Sequence, residues 1–370
     1  MRSARPETIF GRGEKQRRAA MFAEALASYQ DAAKLYQRAA DRQGLFQCLV
    51  AQGHCLRLLG NFRLARATYQ KALTLAATVR TSADRADAQV GFGMTLRALG
   101  DYRRALQLFA RAGQAYRRTQ DLTGEAYVLW ATAGALRIRG TLNEAFDTFQ
   151  RARTLFERQG DRSGVGYCLC GMGGVTRLMG KYDDSLAYYT EAKQRLGQLR
   201  DTFGRAYAAC GIANANRMLG HSDIAFTHFG TARRLYADLR DQVSFAYTLW
   251  GEGTLYKVLG NLRRAEKAFI EAERIFSRTR DRRGQIYTSL GTGEIRLLQG
   301  KLPMARRLFE RARDEARRHG FRFEHLHSQL LLAALRRREG RRVSFTSFKR
   351  RYQALGSAFL ADINLPLNLP

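Results

Sequence analysis

AGALRIRGTLNEAFDTFQRA (residues 133–152) and GTLYKVLGNLRRAEKAFIEA (residues 253–272) are two copies of one pattern, and that pattern decides the fold. A small residue opens each copy; a glycine follows seven positions later, a small residue five on, an aromatic four further and an alanine three beyond. The glycine recurs every forty residues, at Gly60, Gly100, Gly140, Gly180, Gly220, Gly260, Gly300 and Gly340. Behind it run the small positions Ala65, Ala105, Ala145, Ser185, Ala225, Ala265 and Ala305, and the rings Tyr69, Phe109, Phe149, Tyr189, Phe229, Phe269 and Phe309. Spacings of four and three put these residues on one helical face, with small residues where another helix approaches and a ring beside them. A period in the range of about 20 to 50 residues marks one supersecondary unit stacked on copies of itself.

Before each glycine lies a second helical run with its own small residue, at Gly53, Gly93, Ala133, Gly173, Ala213, Gly253, Gly293 and Ala333. The G-x-G pairs Gly91/Gly93, Gly171/Gly173, Gly251/Gly253 and Gly291/Gly293 fall inside these runs and follow no strand, so they read as packing positions and not as a phosphate loop. Between units stand Asp41, Asp121, Asp161, Asp201, Asp241 and Asp281, five of them with glycine three residues on (Gly44, Gly124, Gly164, Gly204, Gly284). A carboxylate there can accept the orphan N–H groups of the next helix. The pattern resembles the tetratricopeptide repeat, in its longer forty-residue version. The resemblance implies an all-α fold, a right-handed α-solenoid of eight to nine helix-turn-helix units.

The expected organisation is a basic segment with a partial first helix over 1–20, the repeat array over 21–320, a degenerate capping unit over 321–356 and an apolar tail over 357–370. The first unit lacks a boundary glycine, and after Gly340 the small and ring positions hold Phe345 and Lys349. Atypical ends give a solenoid a polar outer face. Phe359, Leu360 and Ile363, running into the final NLPLNLP, are too apolar for a free segment; the tail is expected to dock on the last helix pair or to enter a groove in cis.

Composition narrows the function classes. The chain has 63 Lys and Arg against 33 Asp and Glu, a net charge of +30, and residues 301–351 are especially basic, with Arg336, Arg337, Arg338, Arg341 and Arg342 close together. Such a field steers acidic partners. Cys48, Cys55, Cys168, Cys170 and Cys210 sit in helical segments without C-x-x-C pairs and read as small apolar core residues; no metal or other cofactor is expected. The six histidines occupy unrelated positions of the period, and no nucleophile elbow is present, so no catalytic residue is assigned and the chain reads as a non-enzyme. No apolar run approaches a membrane span, and the expected location is cytoplasmic.

The resemblance implies that the first helices of successive units line a concave groove. On that wall stand the tyrosines Tyr127, Tyr167, Tyr207, Tyr247 and Tyr287, then Trp130, Cys170, Cys210, Trp250 and Leu290, then Gly134, Gly174, Asn214, Thr254 and Glu294, then Arg137, Arg177, Arg217 and Lys257. Offsets of three, four and three make one stripe per helix. The candidate groove residues are Tyr127, Trp130, Arg137, Tyr167, Arg177, Tyr207, Asn214, Arg217, Tyr247, Trp250, Lys257 and Tyr287. Arginine bonds carboxylate or phosphate in forks, and tyrosine supplies a rigid amphipathic surface. The expected role is a protein-interaction scaffold taking an acidic or extended segment of a partner. The alternative is a nucleic acid, RNA above all, with phosphates on the arginines and bases on the rings. The oligomeric state is left open.

Overall fold

The computed structural model describes residues 5–19, 21–76, 82–359 and 365–370. Among these the secondary structure is helical, with no strand. Two compact units are present, Met1–Ala131 with Leu239–Asp241, and Thr132–Asp238 with Gln242–Pro370. The first contains α1 (Pro6–Arg18), α2 (Phe22–Arg38), α3 (Arg42–Leu58), α4 (Phe62–Leu75), α5 (Ser82–Ala98) and α6 (Tyr102–Arg118). Helix α7 (Leu122–Arg139) spans the boundary in sequence. The second contains α8 (Leu142–Arg158), α9 (Arg162–Met179), α10 (Tyr182–Gln198), α11 (Thr202–Leu219), α12 (Ser222–Asp238), α13 (Gln242–Val258), α14 (Leu262–Thr279), α15 (Arg282–Leu298), α16 (Leu302–His319), α17 (Arg322–Arg338) and α18 (Thr346–Gln353). The fold is the all-α helix-pair solenoid that the period implies.

Two kinds of turn alternate. The boundary glycines end the first helix of each pair with φ between 75 and 87°, a left-handed conformation that only glycine adopts without strain. Between pairs the chain turns through the same region at Ala40, Gln120, Arg200, Arg240 and Arg280 (φ 54–57°), and at Gly160 and Gly320. The linking aspartates then cap the following helix: Asp41, Asp121, Asp161, Asp201 and Asp281 each accept the N–H of the glycine three residues on, at 2.8–2.9 Å.

Glycine and ring interlock explains the packing. A Cβ on Gly173 would lie 2.8 Å from the Tyr189 ring, and one on Gly211 would lie 2.2 Å from the same ring. Tyr189 is therefore wedged between its own pair and the next. Phe269 sits in the same way between Gly253 and Gly291, and Tyr69 between Gly53 and Gly91. These rings are almost wholly buried, each stabilising the stack by roughly 1.5–3 kcal/mol. The G-x-G pairs are packing positions. Gly13, forty residues before Gly53, meets Tyr29 in the same fashion, so α1 takes the first-helix place of its pair although it is only 13 residues long.

The C-terminal region crosses back over the second unit. Tyr352 at the end of α18 is buried, its Oη 2.6 Å from His327 Nδ1 on α17, and Phe359 packs edge-on against both rings. Ser357 Oγ donates to the Leu178 carbonyl at 2.6 Å and Ala358 N–H to the Met179 carbonyl at 2.9 Å, which ties this segment to the end of α9. Leu360 and Ile363 lie outside the described residues. Four of the cysteines are buried and Cys210 partly so; all five are free, and burial pushes the Cys48 thiol up to about 12 and Cys55 up to about 11. No described helix is long and apolar enough to cross a membrane.

Candidate functional site

The wall positions of the second unit come together on α9, α11, α13 and α15, the first helices of successive pairs. Each is held from behind by the glycine–ring interlock, so side chains forty residues apart in sequence stand side by side. Trp250 and Tyr287 pack with ring centroids 4.5 Å apart. Tyr167 and Tyr247 donate from Oη to the capping carboxylates of the next pair, Asp201 at 2.7 Å and Asp281 at 3.1 Å. Those aspartates thus serve a backbone N–H and a phenol at once. Burial first, and then the Asp281 charge, pushes the Tyr247 phenol well up, so it stays a neutral donor.

Residues 365–370 lie across this ladder. Lys257 Nζ donates to the Leu367 carbonyl at 2.9 Å and Arg217 Nη2 donates to the Leu369 carbonyl at 2.9 Å. The Leu367 N–H donates to Glu294 Oε1, and Lys257 forms an ion pair with the other oxygen of Glu294. Asn368 is held from both sides, its Oδ1 accepting from Arg217 Nη1 and its Nδ2 donating to the Arg217 carbonyl at 3.0 Å. Leu367 and Leu369 are 3 and 4 % exposed. The segment therefore runs counter to repeat order, two residues per repeat, with Leu367 at Lys257 and Leu369 at Arg217. The tail takes both kinds of docking place: Phe359 packs on the last helices at His327 and Tyr352, and residues 365–370 lie along α11, α13 and α15.

The electrostatics follow from burial. Desolvation, reinforced by the nearby Arg177 charge, brings Arg217 down to about 9. Burial also lowers Lys257, with Glu294 opposing the shift. Asn214 supplies Arg217 with a neutral partner, Oδ1 at 3.2 Å. Trp250 lies under the Arg217 guanidinium at 5.9 Å. Arg283 is compensated differently. Burial works against its charge, but Glu324 at 2.6 Å raises its pKa overall, and its Nη2 also reaches Tyr287 Oη at 2.8 Å.

Beyond Pro370 a cavity of about 220 Å³ remains. Arg137, Arg177, Tyr207, Asn214, Tyr247, Trp250 and Tyr287 line it, together with Tyr189, Arg283 and Pro370 itself. The other candidate residues stand elsewhere. Tyr167 is engaged with Asp201. Tyr127 and Trp130 stack on each other in the first unit, 5.6 Å apart, where Tyr127 donates to Met94 Sδ at 3.3 Å and lines a separate cavity of about 460 Å³. Glu294, Arg283 and Tyr189 were not among the candidate groove residues, whereas the tail was expected to dock on the last helix pair or in a groove. For Glu294 a signal existed, since it puts an acid where the equivalent positions carry Gly134, Gly174, Asn214 and Thr254.

Residues 47–118 and 122–196 match the tetratricopeptide repeat family model. No curated protein matches the sequence. Among solved structures the chain is similar to a Rap protein complexed with competence and sporulation factor, at 13 % identity over 95 % of this chain and 99 % of that one, TM-score 0.63. It is also similar to the Rap conjugation gene regulator of the plasmid pLS20 in complex with a Phr peptide, at 13 % identity over 86 % and 97 %, TM-score 0.60. The apo form of RapI aligns at 15 % identity over 74 % and 99 %, TM-score 0.58. At these identities the likeness shows a shared fold.

Proposed function

We infer that this chain, a tetratricopeptide-repeat protein, is a non-catalytic interaction scaffold whose second unit binds an extended segment of a partner protein or a peptide along the ladder Glu294, Lys257, Arg217. One observation carries the reading: the chain's own residues 365–370 lie there with two backbone carbonyls and one N–H taken up by the ladder. Buried cations that hold main-chain carbonyls fix a segment's path irrespective of sequence, while the burial of the Leu367 and Leu369 side chains favours apolar residues there. A protein of the same fold binds a Phr peptide, which agrees with this use of the fold. Residues 365–370 then act as a ligand in cis that a partner displaces. The docked segment carries no charged side chain, which favours extended, Leu- and Pro-rich ligands at Arg217 and Lys257.

The test is a labelled peptide with the sequence of residues 363–370, titrated against the intact chain and against Leu367→Ser/Leu369→Ser, which frees the groove without shortening the chain. Saturable binding, tighter to the variant and lost on Arg217→Ala, is expected. A natively helical variant that does not bind the peptide refutes the reading. Labelled random-sequence RNA is run alongside, because Arg336, Arg337, Arg338, Arg341 and Arg342 are exposed. Tight, salt-steep RNA binding, independent of the leucines, would move the function to that cluster.

A further inference from the structure

Leu367 meets Lys257 and Leu369 meets Arg217, an advance of two residues over one repeat. The next rungs are Arg177 and Arg137, and both line the cavity into which Pro370 points the path. Their surroundings differ from the rungs already occupied. Lys257 has the carboxylate of Glu294, Arg217 has the amide of Asn214, and Arg283 has the carboxylate of Glu324. At Arg177 the position equivalent to Asn214 is Gly174, against which the Arg137 Nη1 packs. No Asp or Glu side chain lines the cavity. Nε and Nη1 of Arg177 and Nε of Arg137 are buried without a hydrogen-bond partner. Buried guanidinium nitrogens without acceptors are costly, and a carboxylate or phosphate oxygen satisfies them in a fork.

We propose that the cavity beyond Pro370 is an oxyanion subsite in which Arg177 and Arg137 bind a carboxylate- or phosphate-type group, carried by the ligand segment about two residues beyond the place of Leu369. It shares the groove of the preceding reading and names the chemistry of that ligand's next residues: neutral and apolar over Lys257 and Arg217, acidic at Arg177. The same chemistry could be met by a free oxyanion. The two sources are distinguishable.

Two C-terminally amidated peptides, INLPLNLPE and INLPLNLPQ, differ only in the final side chain. Against Leu367→Ser/Leu369→Ser the glutamate peptide is expected to bind at least tenfold more tightly. Adding Arg177→Gln should erase the difference, whereas the exposed Arg263→Gln, which removes the same net charge, should leave it intact. In a second arm the unaltered chain, with its tail in place, is titrated with sodium phosphate against sodium chloride at equal ionic strength, read by calorimetry and by the thermal midpoint. Saturable phosphate binding that Arg177→Gln weakens tenfold or more supports the subsite even if neither peptide binds, in which case the oxyanion is free and the peptide reading alone falls. Equal affinity for the two peptides, together with indistinguishable phosphate and chloride responses, overturns the proposal. So does a glutamate preference or phosphate effect that persists in Arg177→Gln.

Discussion

Replacing Glu294 with alanine should separate the two tasks of its carboxylate, neutralising a buried cation and holding the bound segment. Glu294 is fully buried, pairs with Lys257 (1 % exposed) and accepts the Leu367 N–H. Glu294→Ala leaves the ammonium with the Leu367 carbonyl and no counter-charge. Breaking a buried pair by removing one partner costs about 3–5 kcal/mol. Losing the charge-assisted bond to the Leu367 N–H costs the docked segment about 1.5–3 kcal/mol, a roughly 10- to 150-fold shift in its opening equilibrium. The cost should shrink with rising pH: Lys257 already titrates below its unfolded value, so the folded state releases its proton first and gains relative stability until the unfolded lysine also deprotonates. Lys257→Met/Glu294→Leu, which replaces the pair with apolar volume, should recover most of the stability and still leave the tail loosely held. The assay is urea unfolding from pH 7 to 10 together with amide exchange of Leu367, Asn368 and Leu369. A Glu294→Ala cost below about 1 kcal/mol with unchanged exchange at Leu367 would refute the reasoning.

Glycine substitutions should split by what surrounds them. Gly211→Ala drives a Cβ into the Tyr189 ring and should cost roughly 1–3 kcal/mol in chemical denaturation, whereas Gly197→Ala in α10, with nothing within 4 Å, should gain about 0.5–1 kcal/mol. Arg200→Gly relieves a left-handed arginine at φ 54° and should add roughly 1 kcal/mol; a loss of stability would show that the arginine's own contacts outweigh the strain. The pH profile should carry the signature of His327, which is fully buried against Tyr352 and Phe359 and which burial brings down to about 4, Glu324 opposing and Arg283 assisting. Its folded value lies below the unfolded one, so the unfolded state takes up the proton first. Stability is complete above about pH 6.5 and falls towards pH 4 by about 3 kcal/mol. His327→Gln should flatten that limb of the pH–denaturation curve.

The sequence by itself determined everything that repeats. The forty-residue glycine, the small–ring–small face and the linking aspartates encode contacts between neighbours at fixed offsets, and a periodic pattern can carry such contacts because each copy meets the same surroundings. Helix pairs, turn positions and the packing role of the G-x-G glycines were legible for that reason. The stripe of side chains that each first helix carries could be named from the spacing, but not their engagement. The bonds from Tyr167 to Asp201 and from Tyr247 to Asp281, each spanning 34 positions, leave no mark beyond that of a capping aspartate. Gly13 carries the packing role in α1 without the boundary glycine that would have announced it. Only the tertiary structure decided that residues 365–370 lie on Lys257 and Arg217, 110 and 152 positions away. It alone decided that Glu294 closes that contact and that Arg177 and Arg137 face a cavity that no Asp or Glu side chain lines. These contacts occur once in the chain, between a non-repeating segment and a surface assembled from several repeats, and their energy depends on burial and on distances that no periodic spacing specifies.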